Sequence, residues 1–195
     1  ICTSRSFGNL VTDYDELQAS VASFAASCAN KLRGQHSLTS AVTVFASSNC
    51  FREDLPQYSN GQTRILLLPT SDTIEITQAA LSVLKEIYQE GISYKKTGVI
   101  LGDITDASYI QQNLFDEVKN RPERMQLMKS IDALNHRFGL RKIHLAVEGE
   151  EKQAWHAKSE FRSGNYLSDL KEILTIQISV SYTHLRAHET CADLV

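Results

Sequence analysis

Apolar residues recur every three or four positions in two segments of the first half of the chain, and this spacing predicts two amphipathic helices. The first helix begins at Asp13 or Asp15, either of which can cap free backbone N–H groups, and ends at Gly34. The second opens at Thr70–Asp72 and has Gly91 just past its end. Their apolar positions are Leu17, Val21, Phe24, Ala25, Cys28 and Leu32 in the first helix, and Ile76, Ala79, Ala80, Val83, Leu84 and Ile87 in the second.

Runs of β-branched and apolar residues predict strands around these helices. Ser40–Ser47, Thr63–Leu68 and Tyr94–Leu101 show such runs, and Thr3–Phe7 is interpreted as a further extended segment. The polar stretch Asn49–Gln62 predicts a loop that connects a hairpin. The predicted fold is therefore α+β, a split βαββαβ arrangement with two helices on one face of an antiparallel-dominated sheet and the other face open.

The pattern changes from about Asp103, where a polar stretch predicts a linker. Beyond it, Arg124–Phe138 has helical spacing, and Ile143–Val147 is predicted to be a short strand. Trp155 stands alone among alanines, so a core position is favoured over a platform for base stacking. The predicted division is a sheet domain at 1–105, a linker at 106–122 and a small α+β module at 123–179.

Composition restricts the class of protein. No apolar run approaches the roughly 18 residues that a membrane span needs, so we expect a soluble protein with no membrane partner. The formal charge is −3, and residues 1–105 contain eight basic and ten acidic residues, so any nucleic-acid contact must come from local placement of charge. The chain opens at Ile1 without a Met or a signal peptide, which suggests a piece of a longer protein.

The sequence contains no motif of an active site: no phosphate-binding Gly-rich loop, no GxSxG and no HExxH. His184 and His188 are four residues apart, near Glu189 and Cys191, and this spacing could place ligands around a metal ion. No further ligand or general base is supplied upstream. We therefore predict no catalytic residue and no metal site in this chain.

Two groups of residues could bind partners. Arg5 and Ser6 on the first strand, with Lys95 and Lys96 on the last, would be neighbours in the predicted sheet and could hold phosphate oxygens. The alternative interpretation is a solvated polar sheet face.

In the linker, Gln111 is followed by an apolar pair, Leu114 and Phe115, which suits a peptide that fills a partner's hydrophobic pocket. The alternative interpretation is that Leu114 and Phe115 pack on one of the chain's own modules.

Five segments, in this order and spacing, resemble the C-terminal part of a UmuC-type Y-family DNA polymerase, the type of the catalytic subunit of DNA polymerase V. The resemblance covers about residues 1–176. The segments are Ser4–Gly8 (SRSFG), Lys96–Asp103 (KTGVILGD), Gln111–Asp116 (QQNLFD), Gln126–Asn135 (QLMKSIDALN) and Trp155–Tyr166.

This resemblance implies that residues 1–105 are a little-finger domain, which contacts DNA through its sheet face. It implies that Gln111, Leu114 and Phe115 bind the sliding clamp, although Gln112 stands where such motifs usually have Leu or another apolar residue. The implied role is damaged-DNA binding and clamp recruitment within an error-prone translesion polymerase of the SOS response. A UmuD-type accessory subunit is implied as well. Separately, the four cysteines form no CxxC pair, which fits reduced thiols and a cytoplasmic location.

The same resemblance places the palm and fingers upstream of Ile1, together with the carboxylates that would hold two metal ions. We therefore expect no cofactor in this chain and Mg²⁺ in the parent polymerase, and whether the chain counts as an enzyme stays open. Residues 180–195 depart from the family and resemble a reading frame of a sequencing adapter, so a non-native tail is predicted. The alternative function is a freestanding protein-interaction module without nucleic-acid binding.

Overall fold

Four β-strands and three α-helices are found in the residues described by the computed structural model, which are 1–108, 120–139, 141–149, 155, 163–166, 169 and 171. The elements are β1 (Cys2–Val11), α1 (Tyr14–Gly34), β2 (Ser37–Ser48), β3 (Ser59–Thr70), α2 (Thr73–Ile87), β4 (Tyr94–Asp106), α3 (Arg121–Phe138) and a 3₁₀ turn (Ala146–Glu148).

The strands form one sheet in the order β1-β4-β2-β3, and every neighbouring pair is antiparallel. The first and last strands of the βαββαβ unit therefore lie side by side, and the β2–β3 hairpin completes the sheet. Both α1 and α2 pack on one face, where buried residues of β2 and β4 join them in a single core. The predicted α+β split βαββαβ fold is confirmed.

Side-chain caps fix where the two helices begin. The carboxylate of Asp13 accepts a hydrogen bond from the Glu16 N–H (3.3 Å), and that of Asp72 accepts one from the Ile74 N–H (2.8 Å). The end of α2 differs from the prediction, because the helix stops at Ile87, before Gly91. Tyr88 is already extended there, and its ring stacks on that of Tyr94 with 5.9 Å between ring centroids.

All four strands are longer than predicted. In β2, β3 and β4 the added residues include polar ones that find partners across the sheet. β4 continues to Asp106, which pairs with Ser37, the first residue of β2, so the predicted break near Asp103 was wrong. At the other end of β2, the hairpin loop is confined to residues 49–58. In this loop the side-chain amide of Gln57 donates to the carbonyls of Asn49, Arg52 and Leu55.

The predicted strand at Ile143–Val147 was wrong, since Ile143 is a bend, the next two residues are irregular, and Ala146 begins the 3₁₀ turn. The side chain of Asn135 makes the hydrogen bonds that a neighbouring strand would otherwise make. Its Oδ1 accepts from the Ile143 N–H (2.8 Å), and its Nδ2 donates to the Ile143 carbonyl (2.9 Å). With both backbone groups of Ile143 satisfied, no ladder partner is needed there.

Two compact units divide the chain, Ile1–Lys158 and Ser159–Val195. The first contains all the elements named above. The proposed linker and module boundaries at 105, 122 and 179 stay predictions. None of the helices in the described ranges is long and apolar enough to cross a membrane.

Candidate nucleic-acid interface

The sheet face that α1 and α2 leave uncovered is here called the open face. Because side chains alternate along a strand and paired residues share a face, the strand register assigns its members. At one end of the sheet, Ser6 of β1 is paired with Lys96 of β4, Lys96 with Ser47 of β2, and Ser47 with Ser59 of β3. These four residues form a line across all four strands, the polar row, which offers three hydroxyl groups and one ammonium group.

The next row is built around an aromatic ring. Phe45 is paired with Gly98 on one side and with Gly61 on the other, and Ser4 lies beyond Gly98. The ring covers Gly98 so closely that a Cβ added at that residue would lie 2.5 Å from Cζ of Phe45. Lys96 Nζ stands 5.9 Å from the ring centroid, within the range of a cation–π contact.

The remaining two rows contain small or apolar residues. The third row consists of Cys2, Ile100, Thr43 and Thr63, and the fourth consists of Gly102, Ala41 and Ile65. No acidic residue belongs to any of these four described rows. The first one in the same alternation is Asp106, at the far end of β4. The open face thus combines a donor-rich row with a flat, uncharged area.

The structure brings together only part of the predicted phosphate-binding set. Ser6 and Lys96 are directly opposite each other on the open face. Arg5 is exposed but pairs with Thr97, so it points toward the other face. Lys95 lies where the register between β4 and β2 shifts, and its ammonium group donates to the carbonyl of Phe7. The DNA-binding role of all four residues stays a prediction.

Ser47, Ser59 and Phe45 were missed by the sequence reasoning. A partial signal was available, because the alternation in Ser40–Ser47 places Thr43, Phe45 and Ser47 on one side of the strand. That alternation cannot show which residues of other strands stand opposite. Ser59 lay in the segment predicted as a loop.

Behind β1, on the helix-covered face, lies the buried thiol of Cys28. It donates to Thr3 Oγ1 (3.2 Å), and burial raises the pKa of the thiol above its usual value. A neutral thiol at neutral pH suits a core position and not a nucleophile. Over the described ranges, no three His, Cys, Asp or Glu side chains are grouped to hold a metal ion.

The predicted clamp-binding residues Gln111, Leu114 and Phe115 lie outside the described residues, as do His184 and His188. The chain on either side of residues 109–119 is anchored. After β4, the Ala107 N–H donates to the His36 carbonyl (3.0 Å), and α3 begins at Arg121.

Two family models match the chain. Residues 1–114 match the impB/mucB/samB family C-terminal domain, and residues 125–176 match a domain of unknown function. Protein UmuC of Salmonella typhimurium is 37% identical over 177 residues, which cover 91% of this chain and 42% of that protein. Protein ImpB of Salmonella typhimurium is 37% identical over 173 residues, covering 89% of this chain and 40% of that protein.

One solved structure with a similar fold is a complex of a β-clamp processivity factor with the little finger domain of PolIV. It covers 62% of this chain and 97% of the matched chain, with 10% identity and a TM-score of 0.38. The present chain spans about two fifths of the length of the curated relatives it matches. The resemblance to UmuC-type proteins is confirmed by the family match and by these relatives. The chain therefore belongs to the impB/mucB/samB family and contains the C-terminal domain by which that family is described.

Proposed function

We propose that this chain is the DNA-binding and clamp-recruiting part of an error-prone translesion DNA polymerase that acts in DNA repair and the SOS response. The polar row on the open face is the observation that carries the proposal. Three hydroxyl groups and the Lys96 ammonium group can donate to phosphate oxygens, and no carboxylate in the described rows repels them.

The open face suits contact with a DNA backbone. Neighbouring strands lie roughly 4.8 Å apart, so the polar row extends for roughly 14 Å, several base steps along a duplex. Phosphate contacts do not depend on base identity. A polymerase that holds DNA in this way can bind templates with damaged bases as well as intact ones.

Clamp recruitment is proposed for Gln111, Leu114 and Phe115. Their order in a polar segment and the family of the chain support this role. Gln112, in place of the usual apolar residue, is expected to weaken the contact without removing it.

For the whole protein we propose nucleotidyl transfer with Mg²⁺, held by carboxylates in the part of the relatives that this chain does not cover. We also propose a UmuD-type accessory subunit as a partner and a cytoplasmic location. No catalytic role is proposed for the residues of this chain.

The test is binding of the full chain to a fluorescently labelled primer–template, followed by anisotropy at increasing salt. Contact with the phosphate backbone of DNA predicts an affinity that falls steadily as the salt concentration rises. The alternative function, a protein-interaction module without nucleic-acid binding, predicts no DNA binding at any salt concentration.

A further inference from the structure

The sheet domain is contacted in two places, by one face of α3 and by Trp155. Most of α3, and Trp155, lie within residues 125–176, the segment that matches the domain of unknown function. The contacting residues of α3 are Arg121, Arg124, Met128 and Asp132, whose spacing of three or four places them on one side of the helix. Met128 alone is fully buried among the residues of α3. Charged side chains therefore provide most of the described contacts of this helix.

Arg33, near the end of α1, is the centre of this contact. Its Nε and Nη2 donate to the two carboxylate oxygens of Asp132 at 2.6 and 2.8 Å. Its Nη1 donates to the Ser71 carbonyl (2.7 Å) and to Thr73 Oγ1 (2.9 Å), just before and at the start of α2. One guanidinium group thus joins α1, α2 and α3, in a bidentate geometry that is among the stronger kinds of ion pair.

The start of α2 supplies charges of the opposite sign. Asp72, which caps α2, also accepts from Arg124 Nε at 2.6 Å, and Glu75 lies 3.4 Å from Arg121. Two bases and one acid on α3 are therefore matched by two acids and one base on the sheet domain. Such complementarity favours one register of the helix, because a shift by one turn in either direction would separate Asp132 from Arg33 and break the bidentate pair.

Trp155 adds an apolar contact. Its side chain is 1% exposed and meets Phe24 of α1 edge to face, with 5.5 Å between ring centroids. It belongs to the same buried cluster as the inner faces of α1 and α2. Burial of an indole of this size provides far more apolar contact than Met128 alone.

A cavity of about 340 Å³ separates α3 from the sheet domain. Leu38, Leu68, Met125 and Met128 contribute to its apolar lining, and ion-paired residues surround them. The attachment of α3 therefore depends on its ion pairs more than on continuous apolar packing.

We propose that α3 and Trp155 are an intramolecular partner of the sheet domain and form one cooperative folding unit with it. The ion-paired face of α3 closes over the ends of α1 and α2, and Trp155 completes the core. This role is independent of DNA or clamp binding. It assigns the first part of the domain of unknown function to the stability of the sheet domain.

The full chain contains its own reporter, because Trp155 is its single tryptophan. In urea, the transition followed by Trp155 fluorescence is expected to coincide with the transition followed by far-ultraviolet circular dichroism, which reports on the sheet and helices. Trp155 emission that reaches its unfolded value at clearly lower urea than the dichroism transition would overturn the proposal.

A pair of variants with the same change in charge tests the ion pairs. Asp132→Asn removes the partner of Arg33, whereas Glu123→Gln changes an exposed acid of the same helix. Asp132→Asn is expected to move both the fluorescence and the dichroism midpoints to lower urea by more than Glu123→Gln does. Equal midpoints in the two variants, or a shift seen by fluorescence alone, would contradict the proposal.

Discussion

The ring of Phe45 lies directly over Gly98 on the neighbouring strand, and a Cβ at residue 98 would come within 2.5 Å of both Phe45 Cζ and Ser4 Cβ. An aromatic side chain that covers a glycine on the next strand shields backbone that would otherwise be exposed. The same ring lies beneath the ammonium group of Lys96. Glycine at 98 therefore allows the Phe45 ring to lie on the strand surface, and this ring position in turn allows the contact with Lys96.

Gly98→Ala is expected to destabilise the fold by about 1–3 kcal/mol, because Phe45 must leave its position or the strands must separate. Gly102→Ala on the same strand is the matched control, since a Cβ there would meet only Ala41 Cβ at an ordinary 3.7 Å. Urea unfolding of the two variants measures the difference. Equal free energies of unfolding would show that Phe45 is not held against residue 98.

Glu148 provides a prediction for the dependence of stability on pH. Burial raises the pKa of this carboxyl above its usual 4.5, although the Leu145 N–H and Arg141 act in the opposite direction. The folded chain therefore keeps a proton on Glu148 at pH values where the unfolded chain has lost it. Stability from this group is present below pH 4.5 and is lost as the pH rises through the raised pKa.

Glu148→Gln removes this titration and isolates it from the other acids. In thermal unfolding from pH 4 to pH 7.5, the Tm of the variant minus the Tm of the unmodified chain is expected to increase as the pH rises. Parallel curves for the two proteins would mean that burial does not control this carboxyl.

Local signals explain why the helices could be predicted from the sequence. The apolar spacing that defines α1 and α2 and the caps at Asp13 and Asp72 depend only on residues close in the chain. Strand ends do not have this property. Polar residues such as Ser37 and Asp106 become strand residues because each pairs with the other, 69 positions apart.

The composition of the open face is likewise a product of register. Lys96 was predicted as a contact residue from its charge. Ser47 and Ser59 become candidates only because the strand pairing places them in the same row as Lys96. Alternation along β1 already separates Arg5 from Ser6, but the sequence could not show which of the two shares a face with Lys96. Residue type indicated the chemistry, whereas the sheet decided which groups share a surface.

The clamp contact can be tested by a pull-down with a bacterial β sliding clamp. Leu114→Ala combined with Phe115→Ala is expected to weaken binding at least about tenfold, because anchor side chains of this kind provide most of the energy of a peptide contact. Gln112→Leu, which restores the usual apolar residue, is expected to strengthen it. Unaltered binding by the double variant would contradict clamp recruitment through this segment, provided that circular dichroism shows an unchanged fold.

Lys96 is expected to make one of the phosphate contacts of the polar row. Lys96→Gln should weaken binding to the labelled primer–template and should reduce the slope of log affinity against log salt by about 1. The loss should be similar for unrelated DNA sequences, because the contact carries no base information. A variant with the original slope would exclude Lys96 from the interface.

The most direct test of DNA binding by the open face compares two equal changes of charge on β3. Ser59→Asp adds a carboxylate to the polar row, whereas Gln62→Glu adds one to the opposite face, where residue 62 is paired with Val44. Unit charges about 4 Å apart in water interact by ~1 kcal/mol, so Ser59→Asp should lower the affinity for the labelled primer–template about fivefold. We expect this loss for Ser59→Asp and an unchanged affinity for Gln62→Glu, whereas equal affinities of the two variants would exclude the open face as the DNA-binding surface.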